Sequence, residues 1–564
     1  SYSTRTLLNE ATSISTAGKL VYGIPFGGVY KISNRKAKDY SLRGQFNINK
    51  NWDENSILNI ILGAELREAS SFGYSKTLYG FDNDTYLSQG VNPTTYYQTM
   101  YPWTTFIGFS DQGINAPRKR YMSLYSNAMY TYKQRYSASA SVRYDDNSIQ
   151  GARVQERAKP FWSAGLSWNI KQEDFLQPVD FISNMNLRLT YGTGGTIPST
   201  DGSYNTTVIN IPGVNYSTNK TYATISSPAN DRLSWETTGQ FNAGLDLGIL
   251  NNKIIIIFDA YSKKTDGILW SMPFNATYGY TSLRYNAASL SNHGYDLGIN
   301  TRIYKGDFGW GSNLTFAYNT NKVTDSRFPK ISSAAQLVNS SSPITSLPLD
   351  YLYVYRWGGL DDKGQSQILT KDGTILKSTE SAASLTADDL KYVGRKTAPF
   401  SGGWSNEFSY KNLRLSIQMT YYMGHKFLKS SVDNYPTYTG YTGVIGTNKD
   451  LAERWRNPGD ESVTNVPGLS NINYNSLLRY KTSDLLVRDA SHVRLQMISL
   501  SYDIPYVFLK GTLIKSVSAS LSIRNLGILW RGNKDGIDPQ YVRLNNYANL
   551  PPTKNFIFSI NATF

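Results

Sequence analysis

Residues 307–320 read DFGWGSNLTFAYNT. On an extended chain this places Phe308, Trp310, Leu314, Phe316 and Tyr318 on one side, and Gly309, Gly311, Asn313, Thr315, Ala317 and Asn319 on the other. The same two-residue period returns in Leu413, Leu415, Ile417, Met419 and Tyr421 against Arg414, Ser416, Gln418 and Thr420. It returns again in Val517, Ala519, Leu521 and Ile523 against Ser516, Ser518, Ser520 and Ser522. A soluble sandwich turns such an apolar face into a protein core. A membrane barrel turns it outward to lipid and keeps the polar face for a hydrated lumen. Alternation fits both, so strand length, loop asymmetry and the last strand have to decide.

Outward from this stretch, alternation and turn signals place strands near 38–49, 55–69, 118–133, 135–147, 160–171, 185–193, 233–250, 253–265, 288–303, 307–320, 399–410, 412–424, 489–504, 514–526 and 554–564, with room for one more before Lys36. Short connections such as Lys133-Gln134, Leu250 to Lys253, Tyr304 to Asp307 and Tyr410 to Asn412 suit tight hairpins. Long ones cover 70–117, 194–232, 266–287, 321–398, 425–488 and 527–553. Alternation of the two kinds gathers the long loops at one end, as in outer-membrane barrels. Val493, Leu495 and Met497 share a face and Ile498, Leu500 and Tyr502 continue one residue out of phase, which predicts a bulge near Met497. Phe556, Phe558, Ile560, Ala562 and Phe564 form a final apolar row.

Composition narrows the class further. The 564 residues contain no Pro- or Gly-rich linker that would divide them, which favours one large sheet. The longest apolar run is Ile254 to Phe258, too short for a helical membrane span. Mean hydropathy of −0.40 is compatible with a barrel, whose spans are short and half polar. The 43 Tyr, 22 Phe and 11 Trp suit interfacial girdles. With no cysteine, the chain has neither thiol chemistry nor disulfides. Lys and Arg number 57 against 42 Asp and Glu, a net charge of +15. No nucleic-acid-binding module accompanies this charge, so outer-membrane lipid, with its lipopolysaccharide phosphates, is the expected sink and nucleic acid is not. The opening SYSTRTLLNE lacks the charged start and apolar core of a leader, consistent with a removed leader or an internal start.

Ten segments, in order, carry a family resemblance. They include YSNAMYTYKQRYSASASVRYDDNS (125–148), FWSAGLSWNIKQEDFL (161–176), NLRLTYGTGG (186–195), LSWETTGQFNAGLDLGILNNKI (233–254), AYSKKTDGIL (260–269), LSNHGYDLGIN (290–300), YRWGGLDDKGQ (355–365), RWRNPGDE (454–461), HVRLQMISLSYDIP (492–505) and GIDPQY (536–541). Together they resemble the SusC/RagA-type TonB-dependent transporters of Bacteroidetes outer membranes. Arg143, Tyr144, Asp145, Asp146, Asn147 and Ser148 depart from the family's usual Arg-Asp-Gly-Ser run. The resemblance implies an all-β transmembrane antiparallel barrel, with about 15–16 strands here of an expected 22. Residues 1–564 would be the C-terminal part of one barrel domain, with the plug and TonB box outside this chain. It further implies TonB-dependent import of an oligosaccharide or oligopeptide with a SusD-like surface lipoprotein. TonB would act through the N-terminal part, and the remaining plug and barrel segment of the same protein would complete the wall. The rival is an extracellular all-β adhesin or glycan-binding protein of stacked sandwiches.

No catalytic role is expected. His293, His425 and His492 are scattered, without recurrent ligand spacing. Asp361 and Asp362 are adjacent and point opposite ways on an extended chain, so turn chemistry explains them better than a glycosidase pair. No cofactor or resident metal is expected, although Asp82-Asn83-Asp84 and Asn533 to Asp538 leave loop calcium open beside a plain turn-forming role. Tyr96, Tyr97, Tyr101 and Trp103 in one loop, and Tyr435, Tyr438 and Tyr441 in another, are candidates to stack on sugar rings or grip peptide side chains. Loop packing or contact with the lid is the simpler explanation of them. Arg414, Gln418 and Arg524 are expected to line the lumen.

Overall fold

The computed structural model describes residues 12–22, 24, 25, 27–53, 55–92, 96–98, 104–106, 113–147, 158–196, 208–214, 218, 220–227, 230, 233–278, 281–328, 333–339, 342–432, 448–468, 474–541 and 551–564. Fifteen strands form the wall: β1 (Gly28–Asp53), β2 (Ser56–Phe81), β3 (Arg118–Tyr132), β4 (Tyr136–Asn147), β5 (Lys159–Asn169), β6 (Ile182–Thr196), β7 (Glu236–Ile249), β8 (Ile254–Pro273), β9 (Ser282–Lys305), β10 (Phe308–Ser326), β11 (Phe400–Tyr410), β12 (Leu413–Met423), β13 (His492–Asp503), β14 (Ser516–Arg531) and β15 (Asn555–Thr563). Each pairs antiparallel with its neighbour in sequence, so the sheet is an up-and-down meander. A short strand, Gly113–Asn115, adds to β2 off this path. Among the described residues β1 and β15 are each paired on one side only.

Cross-strand register joins the apolar positions into continuous rows. One runs Phe558, Leu521, Leu500, Leu415, Phe408, Trp310 from β15 to β10. Another runs Phe316, Leu297, Phe258, Leu245, Leu187, Trp168 from β10 back to β5. Protein does not cover them: Phe558 is 68%, Leu521 47% and Leu500 44% exposed. Six strands of aligned large apolar residues open to the surroundings are costly in water and favourable against lipid. No helix among the described residues is long and apolar enough to cross a membrane.

Hairpin chemistry sets the register. Lys133 and Gln134 (φ 51° and 54°), Leu250 to Asn252 (φ 54° to 58°) and Lys411 (φ 50°) adopt left-handed conformations at the tight turns. The expected bulge is present: the β12–β13 pairing passes from Gln418–Met497 to Met419–Leu495, and β13–β14 shifts at the same place. At Gly63, an added Cβ would run into the Tyr125 ring, which lies flat across β2.

The rim between β2 and β3, and every second connection after it, carries residues 82–117, 148–158, 197–235, 274–281, 327–399, 424–491 and 532–554. The opposite rim carries only 54–55, 133–135, 170–181, 250–253, 306–307, 411–412 and 504–515. Two sequence expectations are corrected here. The proposed long loop 266–287 is mostly strand, because β8 and β9 remain paired from Ile268–Ala288 to Pro273–Ser282. The first hairpin reaches from Gly28 to Phe81, replacing the proposed strands 38–49 and 55–69 and any separate strand ending before Lys36. There one face mixes Phe72 and Tyr74 with Lys36, Asn34 and Lys76, which breaks the apolar period.

Candidate functional site

The face opposite the apolar rows holds paired charges and amides. In β1–β3, Arg67 binds Asp39 (2.5 Å) and Arg43 donates to Tyr125 Oη (2.6 Å) and Gln45 (2.6 Å). In β4, Arg143 binds Asp145 (2.8 Å), which accepts from Ser123 (2.5 Å). Arg188 of β6 reaches Asp246 of β7 (2.8 Å) and Asp259 of β8 (3.5 Å). Asn319, Tyr261 and Asn292 continue the network at 2.8–3.0 Å. A recess of about 440 Å³ on this face is bordered by Glu65, Arg67, Tyr121, Ser123, Arg143 and Asp145. Such a surface holds water and polar solute and repels acyl chains.

All three expected lumen residues lie on this polar face. Gln418 and Arg524 share one row, both opposite Met497 of β13. Arg414 stands apart towards the short-turn rim, near Glu407 (3.5 Å) and Asp503 (3.8 Å). Arg67, Arg143 and Arg188 escaped the sequence reading. Their signal was the same: an arginine at a polar position of an alternating strand.

At the long-loop rim, two connections fold into a module with a true core. The strands Tyr351–Leu360, Ser366–Leu369, Ile375–Leu376 and Leu390–Arg395 form a small sheet. It packs with helix α1 (Ala334–Asn339) around Tyr355, Ile368, Leu385 and Leu390. Helix α2 (Tyr474–Lys481), from the other connection, clamps onto it. Buried Arg479 donates to the carbonyls of Lys377 (2.5 Å) and Glu380 (2.7 Å), and the Ser366 amide donates to Ser476 Oγ (2.8 Å). Tyr480 bonds Ser431 (2.7 Å), and Trp357 donates through Nε1 to Asn465 (3.0 Å). Gly364, at φ +70°, receives the Trp455 ring where a Cβ would stand, and Gly468 meets the same ring. Burial pushes the Tyr480 hydroxyl up to about 12, so it remains neutral in its bond with Ser431.

A cleft of about 460 Å³ in the module is lined by Lys429, Asp450, Asn465, Tyr480 and Arg488 among others. Lys429 bridges Asp450 (2.9 Å) and Asp535 (3.7 Å), and Arg488 binds Asp535 (2.5 Å). Where the module joins the wall, the rings of His425 and His492 lie 6.2 Å apart and His492 stacks on Tyr422. Burial, then the neighbouring His492, lowers His425 to about 4. His293 instead sits between Ser262 (3.2 Å) and Ser291 (3.0 Å) on the wall.

The oxygen-rich loops have protein partners. Asp82 Oδ1 accepts from the Asp84 and Thr85 amides (2.9 and 2.8 Å). Asn533 closes its turn on Ile537 (3.0 and 3.1 Å), and Asp538 binds Arg494. Asp361 likewise accepts from the Lys363 and Gln365 amides (3.0 and 2.7 Å), the turn role expected of it. Of the aromatic candidates, Tyr96 and Tyr97 fall in a short strand, Tyr96–Gln98, paired to Thr104–Phe106. Tyr101, Trp103, Tyr435, Tyr438 and Tyr441 lie outside the described residues.

An antiparallel meander with lipid-facing apolar rows, a polar opposite face and its longest connections at one rim defines an outer-membrane β-barrel wall. The chain matches the family described as TonB dependent receptor-like, beta-barrel over residues 2–526, and it belongs to that family. Its relatives include proteins named SusC and TonB-dependent receptor. It is 26% identical to the TonB-dependent receptor SusC of Bacteroides thetaiotaomicron over 481 residues, covering 80% of this chain and 45% of SusC. It is also 26% identical to TonB-dependent receptor P3 of Formosa agariphila over 472 residues, covering 78% of this chain and 45% of P3. The chain thus spans about half the length of the curated relatives it matches. The RagAB peptide transporter structure shares its fold, with a TM-score of 0.75 at 23% identity, over 96% of this chain and 58% of that one.

Proposed function

We propose that this chain forms the lipid-sealed wall and outer loop module of a TonB-dependent importer of oligosaccharides or oligopeptides. A SusD-like surface lipoprotein closes the long-loop mouth, and the plug, TonB box and remaining strands belong to another part of the same protein. The chain has no catalytic role in this reading and needs no cofactor. Arg414, Gln418 and Arg524 face the lumen. The tyrosines and tryptophan of the loops containing Tyr96–Trp103 and Tyr435–Tyr441 contact cargo or the lid.

The observation that carries this reading is the union of a polar-faced wall with a cored module that, among the described residues, only the long-loop rim possesses. A general pore needs no such module; a mouth that must hold a lid and a bulky solute does. A strain lacking the gene is expected to lose uptake of labelled oligosaccharide or oligopeptide, while uptake of solutes small enough for general pores persists. The complete protein, tagged and purified in mild detergent, is expected to bring the lipoprotein with it. Unchanged uptake of both cargo classes contradicts the proposal.

A further inference from the structure

The apolar rows of the first three strands are interrupted by charge towards the long-loop rim, before the exposed rings of Phe72 and Tyr74 resume on β2. On β1 the outward positions run Trp52, Lys50, Ile48, Phe46, Gly44, Leu42, Tyr40, and on β3 they run Tyr132 to Met122. Either stretch is close to the roughly 9–11 residues that a tilted strand needs to cross the hydrocarbon. The row Leu42, Leu66, Met122 is therefore the last acyl-chain layer.

Immediately beyond it, on the same outward face, stand Lys38 and Arg118, both opposite Ser70, and Arg120 opposite Glu68. Lys36 follows one pleat further out. Glu68 holds both guanidinium groups at once, Arg118 at 2.7 Å and Arg120 at 2.7 Å, yet the two arginine side chains remain 59% and 60% exposed. Among the described residues, four cations face two carboxylates in these rows, Glu68 and Asp146, the latter opposite Met122. Asp39 and Glu65 alternate to the other face and cannot neutralise them. Paired arginines at a fixed spacing, flanked by lysines, suit phosphate oxygens.

We infer that Lys36, Lys38, Arg118 and Arg120 form a binding site for the phosphorylated headgroup of an outer-leaflet lipid, its acyl chains lying along Leu42, Leu66 and Met122. This rests on the barrel orientation of the proposed function, in which the long loops are external. The shape of the site follows from the strands: the cations occupy adjacent pleats at the headgroup level, where each basic side chain adds to the attraction for an anionic lipid.

The test uses the complete protein in lipid nanodiscs, with native mass spectrometry reading retained lipid A and enzymatically dephosphorylated lipid A. The wild type is expected to retain the phosphorylated form at least about tenfold better than Lys36→Gln/Lys38→Gln/Arg118→Gln/Arg120→Gln. Lys253→Gln/Lys305→Gln, at the opposite rim, should match wild type, and the dephosphorylated lipid should not distinguish the variants. Glu68→Gln, which leaves every cation in place, is expected to raise retention. Equal retention by wild type and the quadruple variant overturns the inference. So does displacement of the lipid by millimolar inorganic phosphate, which would mark a free-phosphate site. Should the quadruple variant fail to assemble, unchanged or reduced retention by Glu68→Gln overturns it alone. Loss of cargo uptake with lipid retention intact would be a separate result, and absence of the protein from the outer membrane would end both readings.

Discussion

The wall and the loop module are built on opposite terms. In the wall, large apolar residues such as Phe558 and Leu521 stay open, and order comes from backbone ladders and register. In the module, Val354 and Ile368 are at most 1% exposed, and side chains such as Arg479, Tyr480 and Ser476 lock their neighbours by hydrogen bonds. The wall tolerates any apolar side chain that lipid accepts; the module demands particular shapes. Solvent explains the difference: lipid replaces the protein core for one and cannot for the other.

The largest expected effect lies in the module. Tyr480→Ala removes a buried ring and its bond to Ser431 and should cost about 3–5 kcal/mol. Hydrogen exchange should show Tyr351–Leu360 and Ser366–Leu369 losing protection while β12 to β14 keep theirs. Loss of protection across both regions would erase the distinction. Next comes the wall. Leu521→Arg should destabilise assembly in lipid vesicles by about 2–4 kcal/mol, as an arginine facing hydrocarbon does. Ser522→Arg, one residue along, should stay within about 0.5 kcal/mol in denaturant titrations. Similar costs at both positions would contradict the assignment of faces.

Much of the wall was legible because a period of two needs only local sequence. Phe308 to Tyr318 and the slip at Met497 carried their geometry in their own order. The outer reach of β1 and β2 was hidden because Lys31 to Lys38 carry little apolar contrast, and Phe72 and Tyr74 of β2 stand opposite Lys36 and Asn34 instead of an apolar row. The module was hidden for another reason. Its core unites Tyr355, Ile368 and Leu390, and α2 joins from a separate connection through Ser366–Ser476, contacts that no local pattern announces. Tyr101, Trp103, Tyr435, Tyr438 and Tyr441 were chosen by type alone and stay proposals.

A smaller effect should separate the regions by pH. His425 stays neutral in the folded module down to about 4, whereas an unfolded histidine takes up its proton near 6.5. The unfolded state therefore binds more protons in that window, and module stability should fall as pH drops from about 6.5 to 4. Burial acts to raise Asp350 and Asp535, but Thr397 and Arg395 on the first, and Arg488 and Lys429 on the second, hold both below the ordinary carboxylate range. Their contribution is complete above the unfolded carboxylate pKa and is lost as pH falls through the lower folded values. Limited proteolysis from pH 7 to pH 3 should cleave the module progressively before the wall. His425→Gln should flatten the upper part of that profile; an unaltered profile would remove His425 from the account.

The central claim is that lipid touches the Phe316, Leu415 and Phe558 side of the sheet. Because this chain has no cysteine, single nitroxide labels can be placed at 519–523 of β14 by cysteine substitution. In bilayers, power-saturation spectroscopy should show labels at 519, 521 and 523 relaxed by oxygen, and those at 520 and 522 by a water-soluble nickel chelate. A flat profile, or labels at 521 and 523 shielded from both relaxants, would contradict the account.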